Sequence, residues 1–191
     1  MSGRGRNRVR IIGGTWGGRR LQLPAVRGLR PSADSSRETL FNWLQDRLPG
    51  SHCLDLFAGS GALGLEAASR GAERVILAES NRRAVAQLRE HIATLEANDR
   101  LRVHAGDGLA LLRGPAEPMD VVFLDPPFDS DLLEPACRAL ASGGWTHPDT
   151  RLYIEHRRST PPQLPATWQT LRSRTTGDAA MLLLAAGKAE Q

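Results

Sequence analysis

A carboxylate, two prolines and an aromatic ring stand side by side in Asp125-Pro126-Pro127-Phe128. The apolar residues 121–124 precede this segment and predict a strand that ends at the carboxylate. Proline fixes φ and has no backbone N–H, so the turn is stiff and its carbonyls stay outside the strand ladder. Such a loop could grip the exocyclic amino group of a planar base while Phe128 stacks on its face. A plain strand-ending turn with a buried Phe explains the same residues.

A glycine-rich turn follows the predicted strand 53–57 and opens a predicted helix at 63–69. Gly59, Gly61 and Gly64 satisfy the pattern G-x-G-x-x-G, in which glycine lets the backbone approach a nucleotide at a helix N-terminus. The turn is not a P-loop, because no Lys-Ser or Lys-Thr follows the glycines. The next predicted strand, 74–78, ends in Glu79, and an acid there can accept both ribose hydroxyls of an adenosine. Together these features predict a site for an adenosine-containing cofactor.

Four predicted strands are each followed or terminated by an acidic residue: Asp55, Glu79, Asp107 and Asp125. Ligands of open α/β sheets bind at the carboxyl ends of the strands, near the topological switch point. We therefore expect the four acids to share one edge of the sheet. Each of them alone could equally be a turn residue or a helix N-cap.

The predicted elements alternate between strands and helices, which favours an α/β fold with a mostly parallel sheet. They are a β-hairpin within 9–23, helices at 36–48, 63–69, 82–96, 108–113 and 131–141, and strands at 53–57, 74–78, 101–105, 119–124, 152–155, 168–171 and 181–185. The 191 residues, 40% of them hydrophobic, suit one domain with a sizeable core. No apolar run is long enough to span a bilayer, and no secretory signal is visible.

Arginine is concentrated at the start of the chain. Residues 1–37 carry nine arginines and one acidic residue, a net charge of +8, whereas the remainder carries 16 basic and 20 acidic residues, a net charge of −4. Guanidinium groups pair with phosphates, so this distribution predicts an RNA-binding arm. The chain has 24 arginines and one lysine, so overall composition explains the choice of Arg but not its placement. We expect residues 1–8 to become ordered only on RNA.

The cysteines and histidines point to no further chemistry. Cys53 and Cys137 fall in predicted core elements and are expected to be buried thiols of a reducing compartment rather than a disulfide. The histidines lack the spacing of metal ligands, so no metal site is predicted.

The two chemical motifs resemble those of the amino-directed, S-adenosylmethionine-dependent methyltransferases. More narrowly, the chain resembles the RsmD family, whose members methylate a guanine N2 in small-subunit ribosomal RNA. The resemblance covers nearly the whole chain and rests on these segments: Asp55-Leu56-Phe57-Ala58-Gly59-Ser60-Gly61, Asp125-Pro126-Pro127-Phe128, Arg10-Ile11-Ile12-Gly13-Gly14-Thr15-Trp16, Leu29-Arg30-Pro31-Ser32, Arg37-Glu38-Thr39-Leu40-Phe41-Asn42-Trp43-Leu44 and Gly144-Trp145. The chain departs from the family pattern at Ser35-Ser36, before Arg37, and around Gly177 in the tail.

The resemblance implies a Rossmann-like class I methyltransferase domain at 36–191, with a mostly parallel seven-stranded sheet, one antiparallel strand and helices on both faces. A basic arm and β-hairpin extension would occupy 1–35. The cofactor would be S-adenosyl-L-methionine, leaving as S-adenosyl-L-homocysteine, with no metal. The methyl group would pass directly to N2 of a guanine of 16S rRNA, within an assembled or nearly assembled 30S subunit. The protein is expected to be a cytoplasmic monomer.

The resemblance also assigns roles to individual residues. Asp125, Pro126 and Phe128 would be catalytic. Gly59 and Gly61 would pass close to the methionine part of the cofactor, Glu79 would hold its ribose and Asp107 its adenine amino group. The full cofactor set is Asp55, Phe57, Gly59, Gly61, Glu79, Asp107 and Gly108. The RNA set is Arg4, Arg6, Arg8, Arg10, Arg19, Arg20, Arg30 and Pro127.

Three alternatives stay open on the sequence. An amino methyltransferase acting on DNA, another RNA or a free nucleobase would share the same catalytic motif. An NAD-type dehydrogenase would account for the glycine pattern and Glu79, but it leaves residues 125–128 unexplained and lacks a second substrate domain. A non-enzymatic RNA-binding protein could have kept the fold.

Overall fold

A computed structural model describes residues 8–22 and 34–187. The predicted RNA contacts Arg4, Arg6 and Arg30 lie outside the described residues. Within those residues the chain forms nine strands and five helices. In chain order they are β1 (Arg8–Arg10), β2 (Arg20–Gln22), α1 (Asp34–Trp43), β3 (His52–Asp55), α2 (Ala62–Ser69), β4 (Arg74–Glu79), α3 (Arg82–Thr94), β5 (Leu101–Ala105), α4 (Gly108–Leu112), β6 (Met119–Leu124), α5 (Leu133–Ser142), β7 (Thr146–Arg157), β8 (Gln169–Thr176) and β9 (Ala179–Ala185).

The main sheet has seven strands in the order β5-β4-β3-β6-β7-β9-β8. Neighbouring strands from β5 to β7 are parallel, and β9 runs antiparallel to both β7 and β8. The predicted mostly parallel seven-stranded sheet with one antiparallel strand is therefore confirmed. From β3 the chain moves outward to β4 and β5, then returns to the other side of β3 to form β6. The topological switch point, where a ligand crevice is expected, lies between β3 and β6.

Alternating side chains of the central strands feed two separate hydrophobic cores. Cys53 of β3 and Val121 of β6 join the core under α1, α2 and α3, whereas Leu54 and Val122 join the core under α4 and α5. This alternation follows from the two-residue period of a strand. Because helices cover both faces, both sets of side chains are apolar, which explains why the strands read as continuous hydrophobic runs.

The predicted N-terminal hairpin is present and packs onto the main domain. Strands β1 and β2 pair antiparallel with Val9 opposite Leu21. Both side chains are buried in the same core as α1 and α2, together with Ile11 and Trp16. The arginines of the two strands point outward and are exposed. Arg8, which we expected to belong to the arm, begins β1.

Some element boundaries differ from the prediction. Helix α1 begins at Asp34, whose carboxylate accepts a hydrogen bond from Arg37 Nη2 at 2.6 Å, and it ends at Trp43 instead of residue 48. Leu44 and Leu48 stay buried while the backbone turns away before Pro49, since the residue before a proline is disfavoured in a helix. Strand β8 is longer than predicted because most of its side chains are exposed and give no hydrophobic signal.

Cys53 and Cys137 are free and buried, as expected. Burial raises the pKa of both thiols to about 12, so they are protonated and unreactive at neutral pH. None of the helices in the described parts of the chain is both long and apolar enough to cross a bilayer.

Candidate active site

A cavity of about 390 Å³ opens at the carboxyl edge of the sheet, where β3, β4 and β5 end. Five of the seven predicted cofactor residues line it: Phe57, Gly59, Glu79, Asp107 and Gly108. The other lining residues are Leu56, Ala78, Ser80, Asn81, Ala84, Gly106, Pro127 and Leu132. A volume of this size falls within the roughly 300–1,000 Å³ of small-molecule sites. The pocket thus combines apolar walls with two carboxylates.

Glu79, at the end of β4, is held by the backbone. Its Oε2 accepts a hydrogen bond from the Gly59 amide at 2.7 Å, and its Oε1 accepts one from the Asn81 amide at 2.7 Å. Each carboxylate oxygen has a second lone pair, so the group can still accept from a ligand diol. The two amides fix the carboxylate in the orientation in which it lines the pocket.

Asp107 and Gly108 form the turn between β5 and α4. The Asp107 carboxylate accepts from the Leu109 amide at 2.9 Å, so it is the N-cap of α4 as well as part of the pocket wall. A Cβ on Gly108 would lie 2.6 Å from the Leu56 carbonyl oxygen, so glycine allows this turn to sit against the end of β3. The N-cap interpretation and the cofactor interpretation of Asp107 are therefore compatible.

Asp55 and Gly61, the remaining two predicted cofactor residues, do not line this pocket. Asp55 is 2% exposed, and its Oδ2 accepts from the Gly64 amide at 2.9 Å, which fastens the start of α2 to β3. Burial raises the pKa of Asp55 to about 7, against the lowering effect of the Gly64 hydrogen bond. Gly61 has φ 79°, donates to the Ala58 carbonyl at 2.7 Å and begins α2.

The hydrogen bonds of this loop argue against a dinucleotide. A pyrophosphate needs free amides at the glycine loop and the helix N-terminus. Here the Gly59 amide donates to Glu79 and the Gly64 amide donates to Asp55. A phosphate placed beside those carboxylates would be repelled. An adenosine carrying a positive charge fits better, because its base meets apolar walls and its ribose and cationic part meet carboxylates.

A second cavity, of about 640 Å³, lies beside the first along the Asp125 loop. Pro126, Pro127 and Phe128 line it, and Pro127 also lines the first cavity. Phe128 is 37% exposed and is the only large hydrophobic side chain exposed among the residues that the structure describes. The Pro127 carbonyl accepts from the amide and the hydroxyl of Ser130, at 3.0 and 2.6 Å, which closes a tight turn. The loop is therefore a stiff partition between the two cavities, with an aromatic ring on the second.

Two residues of β7 that the sequence analysis left without a role lie next to this loop. The Tyr153 hydroxyl donates to Glu155 Oε2 at 2.7 Å. Burial raises the pKa of Glu155, and burial together with the charges of Glu155 and Asp125 raises the pKa of Tyr153 well above its ordinary value. The available signal was the strand itself, because 152–155 also ends in an acid, the same pattern as the four strands already singled out.

A buried ion network, also missed, ties the hairpin to α2. Glu66 is fully buried and accepts from the Ile12 amide at 2.7 Å, the Gly13 amide at 2.9 Å and Arg70 Nε at 2.7 Å. Arg37 Nη1 lies 4.0 Å from Glu66, and Arg37 Nη2 donates to the Arg10 carbonyl at 2.8 Å. The predicted RNA contacts Arg8, Arg10, Arg19 and Arg20 are exposed on the hairpin that this network holds.

The seven-stranded sheet with its reversed strand β9, the pocket at the switch point and the stiff Pro-Pro loop define a Rossmann-like class I methyltransferase. The family model "Conserved hypothetical protein 95" matches residues 9–185. "Ribosomal RNA small subunit methyltransferase D" of Escherichia coli K12 is 42% identical over 180 residues, covering 94% of this chain and 90% of that protein. The protein of the same name from Haemophilus influenzae is 41% identical over 172 residues, covering 88% and 89%.

A solved structure, described as a putative methyltransferase yhhF from Escherichia coli, superposes with a TM-score of 0.88 at 41% identity and covers 95% of this chain and 99% of that chain. The chain belongs to this family, the RsmD family.

Proposed function

We propose that the protein transfers a methyl group from S-adenosylmethionine to the exocyclic N2 of a guanine in 16S ribosomal RNA of the small subunit. The observation that carries the proposal is the position of the Asp125 loop. It separates a pocket suited to an adenosine from a second pocket with an exposed aromatic ring, and Pro127 lines both. The relatives named ribosomal RNA small subunit methyltransferase D support the choice of RNA.

The chain's own residues align the reactants and accept charge. When bound in the first pocket, S-adenosylmethionine supplies an electrophilic methyl group. A guanine amino group is a weak nucleophile because its lone pair is delocalised into the ring. The Asp125 carboxylate and the Pro126 carbonyl accept hydrogen bonds from it, which offsets the positive charge that develops on N2. Asp125 also takes the proton that the methylated nitrogen releases.

Positioning accounts for the rest of the rate. Holding two reactants in line can supply on the order of 7–11 kcal/mol of the barrier. Phe128 stacks on the guanine, a contact worth about 1–3 kcal/mol in other nucleic-acid sites. The base has to leave its stack to reach this pocket, or to lie in a loop already.

The exposed hairpin arginines are proposed to hold the RNA backbone. Arg8, Arg10, Arg19 and Arg20 lie on the outer side of β1 and β2 or in the turn between them. Phosphate contacts of this kind orient the protein without reading sequence. We further propose that the substrate is an assembled or nearly assembled 30S particle and that the enzyme acts as a cytoplasmic monomer.

Transfer of tritiated methyl groups to small-subunit particles from a strain lacking this protein, followed by nucleoside analysis, tests the proposal. The wild type should yield N2-methylguanosine. Asp125→Ala should lower the rate roughly 100-fold or more, the effect of removing a general base. Its affinity for S-adenosylhomocysteine, measured by calorimetry, should stay unchanged.

Glu79→Ala is the matched control, because it removes a carboxylate from the other pocket. Loss of one charged hydrogen-bonding group costs about 1.5–3 kcal/mol, so affinity for S-adenosylhomocysteine should fall roughly ten- to a hundredfold. Near-normal methyl transfer by Asp125→Ala would contradict its role. Tight binding of NADH in place of S-adenosylhomocysteine would reinstate the dehydrogenase alternative, and transfer to DNA or another RNA instead of the particles would redirect the substrate assignment.

A further inference from the structure

Glu155 is the structural neighbour of Asp125 across two parallel strands. Strand β7 pairs with β6 in a register that places Phe123 opposite Tyr153 and Leu124 opposite Ile154. The next pair along this register is Asp125 and Glu155. Side chains two residues apart on a strand share a face, so both acids follow the face of Phe123 and Tyr153. Glu155 lines the second cavity, together with Pro126 and Phe128.

The Glu155 carboxylate is oriented by a buried phenol. Tyr153 is 1% exposed and packs edge-on against Phe123, with ring centroids 6.5 Å apart. Its hydroxyl donates to Glu155 Oε2 at 2.7 Å. An ionised carboxylate is an acceptor at both oxygens, so Oε1 keeps its capacity to accept from a ligand in the cavity. The Tyr153 hydroxyl can serve as this donor only while Glu155 accepts, which favours the ionised carboxylate.

Two neighbouring acceptors match one nucleobase in particular. The Watson–Crick edge of guanine carries two adjacent donors, N1–H and the N2 amino group. Adenine and cytosine have a bare ring nitrogen at the corresponding position. Enzymes that act on an extruded base read it by hydrogen bonds to this edge. With N2 directed at Asp125, the N1–H of the same base is directed towards the next strand end, where Glu155 lies.

We infer that Glu155 is the residue that selects guanine, by accepting the N1–H of the base whose N2 amino group faces Asp125. This inference rests on the proposed function. A site built to hydrogen-bond an N–H leaves a buried acceptor unpaired when the group is missing, and such sites discriminate far more strongly than shape alone. Tyr153 acts through Glu155 and is a positioning residue.

2-Aminopurine tests the inference, because it keeps the N2 amino group but has a bare N1. The target guanine is mapped with the wild type, and particles are reconstituted with RNA that carries either guanine or 2-aminopurine at that position. The measured quantity is the ratio of kcat/KM for guanine to that for 2-aminopurine. We expect the wild type to prefer guanine strongly. In Glu155→Gln, whose amide can donate to a bare N1, the ratio should fall by about 100-fold or more, in line with the discrimination that such hydrogen bonds supply.

Two further variants complete the design. Glu155→Ala should lower transfer to guanine while transfer to 2-aminopurine is maintained or rises, so the test does not depend on the Gln amide. Asp131→Asn makes the same acid-to-amide change in an exposed residue lining the same cavity and should leave the ratio unchanged. Affinity for S-adenosylhomocysteine, measured for every variant, reports an intact fold.

An equal loss on both substrates in the Glu155 variants would overturn the inference, because it would show a structural role. An unchanged ratio would overturn it as well. Failure of the wild type to methylate guanine N2 in either kind of particle would instead contradict the proposed function, and the inference with it.

Discussion

The buried carboxylate of Glu66 should control the stability of the hairpin and of the fold. It is fully buried, it accepts from the Ile12 and Gly13 amides and from Arg70 Nε, and Arg37 Nη1 lies 4.0 Å away. Arg37 is itself 1% exposed, and its Nε and Nη1 have no hydrogen-bond partner among the described residues. Glu66→Ala would leave two amides unpaired and this guanidinium without its counter-ion.

The expected loss of unfolding free energy follows from these interactions. Removing one partner of a buried ion pair typically costs about 3–5 kcal/mol, because the other charge stays buried and uncompensated. Each amide left without an acceptor can cost about 1–3 kcal/mol, although these contributions overlap and do not add. We therefore expect Glu66→Ala to lose about 3–5 kcal/mol, a large part of the roughly 5–15 kcal/mol of a typical domain.

Urea unfolding followed by tryptophan fluorescence measures this loss. Trp16 reports on the hairpin, because it is buried between β1 and β2 and lies under Arg100, 4.9 Å from the ring centroid. The control is Arg138→Ala, which removes an exposed ion pair with Glu134 at 3.8 Å and should cost no more than about 1 kcal/mol. If the two variants unfold at the same urea concentration, the Glu66 network does not stabilise the fold as argued.

Two further predictions concern RNA binding and pH. Arg19→Glu combined with Arg20→Glu should weaken binding to small-subunit RNA and flatten the log–log salt slope by ~0.7 for each phosphate that the variant no longer binds, while Arg172→Glu, exposed on the edge strand β8, should leave the slope unchanged; equal slopes in all three proteins would remove the hairpin from the RNA interface. Burial raises the pKa of Asp55 from 3.8 to about 7, so the stability contributed by its protonated form is fully present below pH 3.8 and is lost as the pH rises through 7. Asp55→Asn should gain on the wild type by up to roughly 4 kcal/mol between pH 4 and pH 8, measured by urea unfolding at each pH, and a pH-independent difference would contradict the raised pKa.

The central strands and their order of acids could be predicted because they are buried on both faces. Apolar runs such as 74–78 and 119–124 leave few alternatives to a parallel strand, and each predicted boundary lies within two residues of the observed one. Strand β8 could not be bounded in the same way. Most of its side chains are exposed, so its backbone is set by pairing with β9 rather than by its own pattern.

Asp55 and Glu155 show where the sequence could not separate roles within the site. Both acids end a strand in the predicted pattern, so the pattern places both at the same edge. Which of them meets a cavity depends on what folds back over the strand end. Gly64 of α2 covers Asp55, whereas the shorter path from β7 to residue 161 leaves Glu155 beside the Pro-Pro loop. That difference lies in tertiary packing between segments far apart in the chain.

Glu66 is the residue for which sequence logic and structure diverge most, and the reason bears on function. A single acid in an apolar helix is normally assigned to the solvent side. All eight residues of α2 are buried, however, because the hairpin covers the side that would otherwise face water. The polar backbone of Ile12 and Gly13 arrives there and needs an acceptor, which Glu66 supplies. At ~1.5 Å per residue, α2 is only about 12 Å long, and its first turn is the end of the glycine loop. One short helix therefore joins the arginine-bearing hairpin rigidly to the loop that lines the cofactor pocket, so RNA held by the hairpin is held in register with the methyl donor.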